Sequence, residues 1–395
     1  MKIAIFTETY LPYINGVVTH VKLLREGLIK MGHKVLIVTA DTEGNTHSIK
    51  DGVLKCPALE FKKLYGYGLA SPISPTLERF IKAFKPDIIH IEQEFGLGLE
   101  GIRCARKFNI PLVYTLHTLY DYYMYYIAPK PLTGIATKLS HRYFRFVANR
   151  ADIITGPSQK CADYLKNAGV KKDVHVIPNP VEIDDFKADS ITEDEKKALR
   201  EKLGIPENAF LGIFCGRLGK EKMVDELLEI YKDHTDSDTY LLVAGGGPSM
   251  EELEALSKEY GLTERVIFTG AVPHEELAPY YAISDFYATA SVSDTYSISM
   301  LEAQASGLYV LQKYDIKNSY QTREGINGEL FRDGKEFREI VHKLKSMTPE
   351  ERELLGEKVR SSVKERSSSS IAKSMSELYE LAIERKKMGI HSKYL

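Results

Sequence analysis
Residues 289–307 read Thr-Ala-Ser-Val-Ser-Asp-Thr-Tyr-Ser-Ile-Ser-Met-Leu-Glu-Ala-Gln-Ala-Ser-Gly. Phe286, Tyr287 and Ala288 ahead of them read as the end of a strand. Ile298, Leu301, Glu302 and Ala305 fall at helical spacing, and Gly307 can end the helix. Between Asp294 and Glu302 the chain therefore turns from loop into helix. The backbone N–H groups of Ser297, Ile298 and Ser299 are then expected as unpaired first-turn donors, a setting that suits a phosphate or pyrophosphate. Glu302 lies about two turns along and can reach hydroxyls beside that phosphate. Phosphate donors, one carboxylate for a ribose and another for a sugar describe a sugar-nucleotide site. An ordinary capped helix with two solvated acids accounts for the same spacing.

The surrounding chain sets this stretch in an α/β frame. Upstream, an apolar run at 210–215 reads as a strand and leads into Gly216-Arg217-Leu218-Gly219-Lys220-Glu221-Lys222. That segment places a flexible turn and two fixed cations at a strand end, which can neutralise a pyrophosphate. A strand at 240–244 ends in Gly245-Gly246-Gly247-Pro248, where the glycines permit a tight turn and need do nothing more. Asp236-Ser237-Asp238 has the form of a metal-binding pair but stands in a loop without companion ligands, and no metal is expected. A strand at 266–268 is followed by Gly270-Ala271-Val272-Pro273. Thr348-Pro349-Glu350-Glu351 is a helix start with a capping box and Pro in its first turn.

The first half opens with an apolar strand at 2–6, a helix marked by Val17, Val21, Leu24 and Leu28, and a strand at 35–38. This is the start of a doubly wound sheet. The loop after the first strand lacks G-x-G-x-x-G, which disfavours a dinucleotide dehydrogenase. Gly16 instead permits a close backbone approach just before the helix. Residues 41–75 read as irregular apart from the helix starting near 77. Strands are expected at 88–91, 112–116 and 152–155. His117-Thr118 stands at the carboxyl end of one of them, where open α/β sheets place ligands. A lone histidine is also commonly structural. Residues 119–130 are rich in tyrosine. In the helix expected over 132–149, Ile135, Leu139 and Phe146 are apolar while Lys138, Arg142 and Arg145 are basic. An anionic interface and a half-buried surface helix fit it equally.

The chain has 395 residues, enough for two domains. Pro178-Asn179-Pro180 and the polar, linker-like stretch 184–201 place the boundary near 178–205, with domains at 1–178 and 179–370 and a closing helix at 371–395. No apolar run is long enough to span a bilayer. Four scattered cysteines lack metal-ligand spacing, so a reduced, cytosolic setting is expected. Charge is uneven: residues 1–175 hold 24 Lys and Arg against 15 Asp and Glu, and the remainder 29 against 40. The basic half is expected to meet something anionic. No arginine-rich run or nucleic-acid motif is present, so a membrane surface fits better than DNA or RNA.

Taken as a set, Arg217 and Lys222 with four residues between them, Gly245-Gly246-Gly247-Pro248, Thr269-Gly270-Ala271-Val272-Pro273 and an acid-x7-Glu ending in Leu301-Glu302-Ala303 resemble the retaining glycosyltransferases of family four. The resemblance spans nearly the whole chain. It implies an α/β fold of two Rossmann-like domains facing across a cleft (the GT-B glycosyltransferase fold), with the C-terminal helix crossing back to the first domain. Phe6-Thr7-Glu8-Thr9-Tyr10-Leu11-Pro12, Asn15-Gly16-Val17-Val18 and Leu116-His117-Thr118-Leu119-Tyr120-Asp121 are most similar to the branch that glucosylates diacylglycerol.

That resemblance implies transfer of a hexose, glucose, from a UDP-sugar to a diacylglycerol-type lipid, by a metal-independent enzyme without a cofactor. It implies a peripheral location on the inner face of the cell membrane, held there through the basic first domain. Arg217 and Lys222 would hold the donor diphosphate, and Asp294 and His117 the donor sugar. Glu302 would bind the ribose and Val272 the base, while Gly16, Ser297 and Ile298 complete the nucleotide-sugar site. Glu8 and Tyr120 would contact the acceptor. The same chemistry on a sugar or polyprenyl-linked acceptor, and a catalytically weak sugar-nucleotide-binding homologue, are the competing readings. The chain departs from the family at Asp294, usually Glu, at Ser297, usually Gly, and at Met223, often Asn. Asp294 is one methylene shorter, which removes about 1.5 Å of reach.

Overall fold
The computed structural model describes residues 1–61, 67–123, 132–187, 190–315 and 320–389. Residues 62–66 and most of the tyrosine-rich stretch, 124–130, lie outside them. The chain divides into two compact units, Met1–Pro180 with the segment returning from Ser368, and Val181–Ser367.

In the first unit, β1 (Lys2–Thr7), β2 (Lys34–Asp41), β3 (Ser48–Lys50), β4 (Val53–Phe61), β5 (Tyr67–Ala70), β6 (Ile88–Ile91), β7 (Leu112–Thr115), β8 (Ile153–Gly156) and β9 (Val174–Val176) form one sheet. The spatial order is β3-β4-β2-β1-β6-β7-β8-β9, with β5 on β4. All pairings are parallel except those of β3 and β5 with β4. Successive side chains of β1 point to opposite faces and both faces are covered, so Ile3, Ala4, Ile5 and Phe6 are all apolar. Ala4 and Phe6 join a core with Leu97, Ile102 and Cys104, while Ile3 and Ile5 join another with Val21, Leu24 and Leu28.

The second unit repeats the plan. β10 (Phe210–Cys215), β11 (Thr239–Ala244), β12 (Val266–Gly270), β13 (Phe286–Thr289), β14 (Tyr309–Lys313) and β15 (Gly328–Phe331) form a parallel sheet in the order β12-β11-β10-β13-β14-β15. Phe210 and Phe214 pack with Leu227, Leu228 and Val341 on one side. Leu211, Ile213 and Cys215 pack with Met300, Leu301 and Ala305 on the other. The helix Ile298–Ala305 is therefore clamped by its own apolar stripe, and its position fixes Glu302.

Two expectations change. Residues 41–75 are not irregular, because they contain β3, β4 and β5. Their antiparallel pairings at the sheet edge leave no continuous apolar run to read. The polar stretch near 184–201 is not an open linker either. It contains the helix Glu193–Lys202, started by a Thr192/Glu195 capping box and burying none of its residues. The four cysteines are free and buried.

The helix Ser368–Lys387 packs on the first unit through Ala372, Met375, Tyr379 and Ala382. Leu378 and Leu381 are only partly buried, while Tyr379 is fully buried. The Tyr379 hydroxyl lies 2.7 Å from His90 Nδ1, inside the sheet. Where this helix crosses Gly16–Lys30, Gly27 makes room: a Cβ there would stand 2.6 Å from the Ser368 carbonyl oxygen and 2.7 Å from Ala372 Cβ. In an exposed helix, Gly→Ala gains about 1 kcal/mol. Here the obstructing atoms are helix backbone and a buried methyl, and overpacking costs about 1–3 kcal/mol. Gly27→Ala is therefore expected to lower stability by about 1 kcal/mol, measured as a lower urea midpoint. A raised midpoint would show that the two helices are not in close contact.

Candidate functional site
The second unit gathers its chemistry at the carboxyl ends of β10, β12 and β13. After Cys215 the chain turns through Arg217 to a single 3-10 turn at Lys220–Lys222. The glycine loop after β11 is its scaffold. Leu218 N–H donates to the Gly246 carbonyl at 2.9 Å, and Ser249 N–H to the Leu218 carbonyl at 3.0 Å. A Cβ on Gly245 or Gly247 would strike the Gly216 or Leu218 carbonyl. These glycines thus do more than turn the chain, since they admit the cation-bearing loop. Met223 closes the turn at φ 53°, in the left-handed region where Asn is tolerated better than most side chains.

Both expected phosphate cations face acids in the chain by itself. Arg217 donates to Glu221, a buried carboxylate that sequence reading passed over, and Lys222 donates to Asp294. Ser291 Oγ donates to the other Asp294 oxygen at 2.6 Å. The short Asp294 side chain therefore reaches Lys222 and Ser291 together. A diphosphate entering beside these cations would meet positive groups already oriented by carboxylates.

Ser297 is the N-cap of Ile298–Ala305, its hydroxyl accepting from Met300 N–H at 3.3 Å. Its own N–H is not an open donor as expected. Gln321 Oε1 takes it at 2.8 Å, and Gln321 Nε2 donates back to the Ser297 carbonyl at 2.7 Å. Ile298 is buried behind it. Glu302 is also buried, with Oε1 2.8 Å from His274 Nε2 and Oε2 accepting from Tyr281 at 2.9 Å. His274 follows Val272 by two positions, so Glu302 and the loop after β12 are tied together. Gln321, His274 and Tyr281 lie too far from their partners in sequence to be read beforehand. Asp236 and Asp238, set aside as a metal pair, are held by Lys345 at 3.4 and 2.6 Å.

The first unit has a separate cluster. Gly16 begins the helix Gly16–Lys30, whose N-cap Asn15 accepts from Val18 N–H at 3.0 Å. His117, two residues past the β7 end, is buried with Nε2 2.6 Å from Glu92. Burial opposes the Glu92 charge, but the imidazoles of His90, His20 and His117 outweigh it and hold the carboxyl well below its ordinary range. Glu8 accepts from Leu97 N–H at 2.5 Å, and burial pushes its carboxyl up to about 7. Tyr120 donates at 2.9 Å to Glu94, which also accepts from Tyr114 at 2.8 Å. Burial raises Glu94 to about 7 as well, and its charge adds to the rise at Glu8. Sequence reading found Glu8 and Tyr120 but not Glu92 or Glu94.

Residues 14–185 match the family model described as Glycosyltransferase Family 4, and residues 195–362 match the one described as Glycosyl transferases group 1. An alpha-monoglucosyldiacylglycerol synthase of Acholeplasma laidlawii is 30% identical over 354 residues, 87% of this chain and 88% of that protein. One from Streptococcus pneumoniae is 34% identical over 315 residues, 79% of this chain and 70% of that protein. Among solved structures, Anabaena Alr3699/HepE in complex with UDP-glucose superposes with a TM-score of 0.74 at 18% identity, over 96% of this chain and all 100% of that one. The fold is that of the two-domain GT-B glycosyltransferases.

If Arg217 and Lys222 carry the leaving-group charge, removing either loses stabilisation on the order of 3 kcal/mol, about a hundredfold in rate. Arg217→Ala and Lys222→Ala are each expected to cut turnover of a nucleotide sugar by at least that factor, with EDTA leaving the native rate unchanged. Near-native rates in both variants, or strong inhibition by EDTA, would sink the assignment.

Proposed function
The chain belongs to glycosyltransferase family 4, and on that premise we propose that it is a retaining glucosyltransferase moving glucose from UDP-glucose to a diacylglycerol-type lipid at an anionic membrane surface. The relatives at 30% and 34% identity, named as monoglucosyldiacylglycerol synthases, support the glucosyl group and the lipid acceptor. The observation that carries the lipid acceptor is the helix Thr133–Ala148. Phe144, Val147 and Ala148 anchor it in the first unit. Ile135 and Leu139, 61% and 63% exposed, stand out from it with Phe146, and the exposed Lys138, Arg142 and Arg145 lie among them. Apolar side chains that seek hydrocarbon, set among cations that seek lipid phosphate, describe an element lying in a bilayer interface. No helix among the described residues is long and apolar enough to cross a membrane. The proposed location is accordingly peripheral, on the inner face of the cell membrane.

In this reading Arg217 and Lys222 receive the diphosphate, and Ser297 and Ile298 line its approach at the helix start. Glu302 takes the ribose hydroxyls and Val272 meets the base through its main chain. Asp294 and His117 orient the glucose, and Gly16 lets backbone come close to it. Glu8 and Tyr120 face the acceptor. The acceptor oxygen bonds to the anomeric carbon as its bond to UDP breaks, on the face UDP leaves. The hydroxyl proton departs with the diphosphate, and no metal takes part.

The test is vesicle binding and transfer. Each surface cation near an anionic bilayer contributes about 1 kcal/mol. Replacing Lys138, Arg142 and Arg145 together by Ala is expected to weaken partition onto anionic vesicles about a hundredfold. Binding by the native protein should fall as salt rises. Glucose from UDP-glucose should appear on diacylglycerol in those vesicles. Equal partition onto neutral and anionic vesicles, with transfer only to a soluble or polyprenyl-linked sugar, would replace this reading with the polysaccharide one.

A further inference from the structure
At the carboxyl ends of β6 and β7, three imidazoles surround one carboxylate. Glu92 is fully buried. Its Oε2 lies 2.6 Å from His117 Nε2, and its Oε1 lies 3.4 Å from His90 Nδ1 and 3.7 Å from His20 Nε2. The outer imidazoles are anchored from behind. His20 Nδ1 lies 2.9 Å from Asn179 Oδ1. His90 lies 2.7 Å from the Tyr379 hydroxyl and 2.6 Å from the Thr115 hydroxyl. The His20 ring stands edge-on to His117 with centroids 4.6 Å apart.

An ionised carboxylate only accepts, so the shortest of these contacts fixes a proton on His117 Nε2. In a neutral imidazole the lone pair is then on Nδ1. We propose that Glu92 is a positioning residue: it holds His117 as the Nε2-protonated tautomer and sets its ring angle, so that Nδ1 is the accepting nitrogen of the ring. This rests on the reading of His117 as a sugar-orienting residue. The burial of the whole group explains why a carboxylate is used. A neutral acceptor would hold the ring in place but could turn to donate, leaving the tautomer unfixed. His20 and His90 support the charge without competing for Oε2. His20, Glu92 and His117 also present ligand atoms within 4.8 Å of one another, as a metal site would. A metal there would need the His117 Nε2 that Glu92 already engages through its proton.

Nitrogen-15 NMR of histidine-labelled native protein decides the point, with His117 assigned by comparison with His117→Gln. The expected spectrum shows Nε2 protonated and Nδ1 bare near neutral pH. In Glu92→Gln the pattern should become mixed, and kcat should fall about a hundredfold while UDP affinity stays within about twofold. A native His117 protonated at Nδ1, a Gln variant with the native rate, or one equivalent of zinc retained by the purified native protein would overturn the proposal. If Glu92→Gln does not fold, the native spectrum still decides. A native protein that transfers nothing to lipid would count against the acceptor reading and leave the imidazole spectrum to judge Glu92.

Discussion

A strand buried on both faces cannot carry a charge along its length, and both units are built on such strands. Ile3, Ala4, Ile5 and Phe6 are fully buried, as are Leu211 and Ile213. An unpaired polar group among them would cost several kcal/mol. Polar chemistry is therefore driven to the strand ends, where loops and helix starts can satisfy it. Glu92 and His117 follow β6 and β7, and Arg217 and Asp294 follow β10 and β13. The two clusters arise from one constraint applied twice.

At those ends, charge is held in pairs. Arg217 with Glu221 and Lys222 with Asp294 bring two cations and two carboxylates into partly covered positions. Removing one member of such a pair exposes the other to its desolvation cost, which exceeds the net worth of the contact. Each pair thus fixes the direction of its cation more than it stabilises the fold. In the proposed reading, an entering diphosphate would bring the additional negative charge for which the cations are oriented. Glu92 is the same device with the sign reversed, one carboxylate steadied by imidazoles rather than one cation steadied by a carboxylate.

How much was legible beforehand follows from distance along the chain. The strand-loop-helix at 286–305 and the Arg217 to Lys222 turn were readable because periodicity and spacing are local. Ser297 was seen as a helix start but not as a backbone already taken, because Gln321 closes on it from 24 positions away. Glu92 was invisible as a hub because its partners come from the first helix and the next strand, as His20 and His117. Residues 41–75 were misread for a different reason. β3 and β5 are short edge strands whose antiparallel pairing requires no buried run, so they left no apolar signature.

The three departures from the family share a property that bears on whether this is a working site. Met223 occupies a left-handed position, at φ 53°, that its side chain does not favour. It keeps the backbone conformation that points Lys222 inward. Ser297, where the family has no side chain, caps the helix, and a serine cap is worth about 1 kcal/mol over alanine but only a few tenths over glycine. Its effect on stability is small, and the Gln321 contacts run to its backbone, so a glycine there would keep them. Asp294, though short, is in contact with Lys222 and Ser291. Here each altered residue retains the local geometry or the ion pair its position requires. Those contacts favour the proposed enzyme over a binding relic.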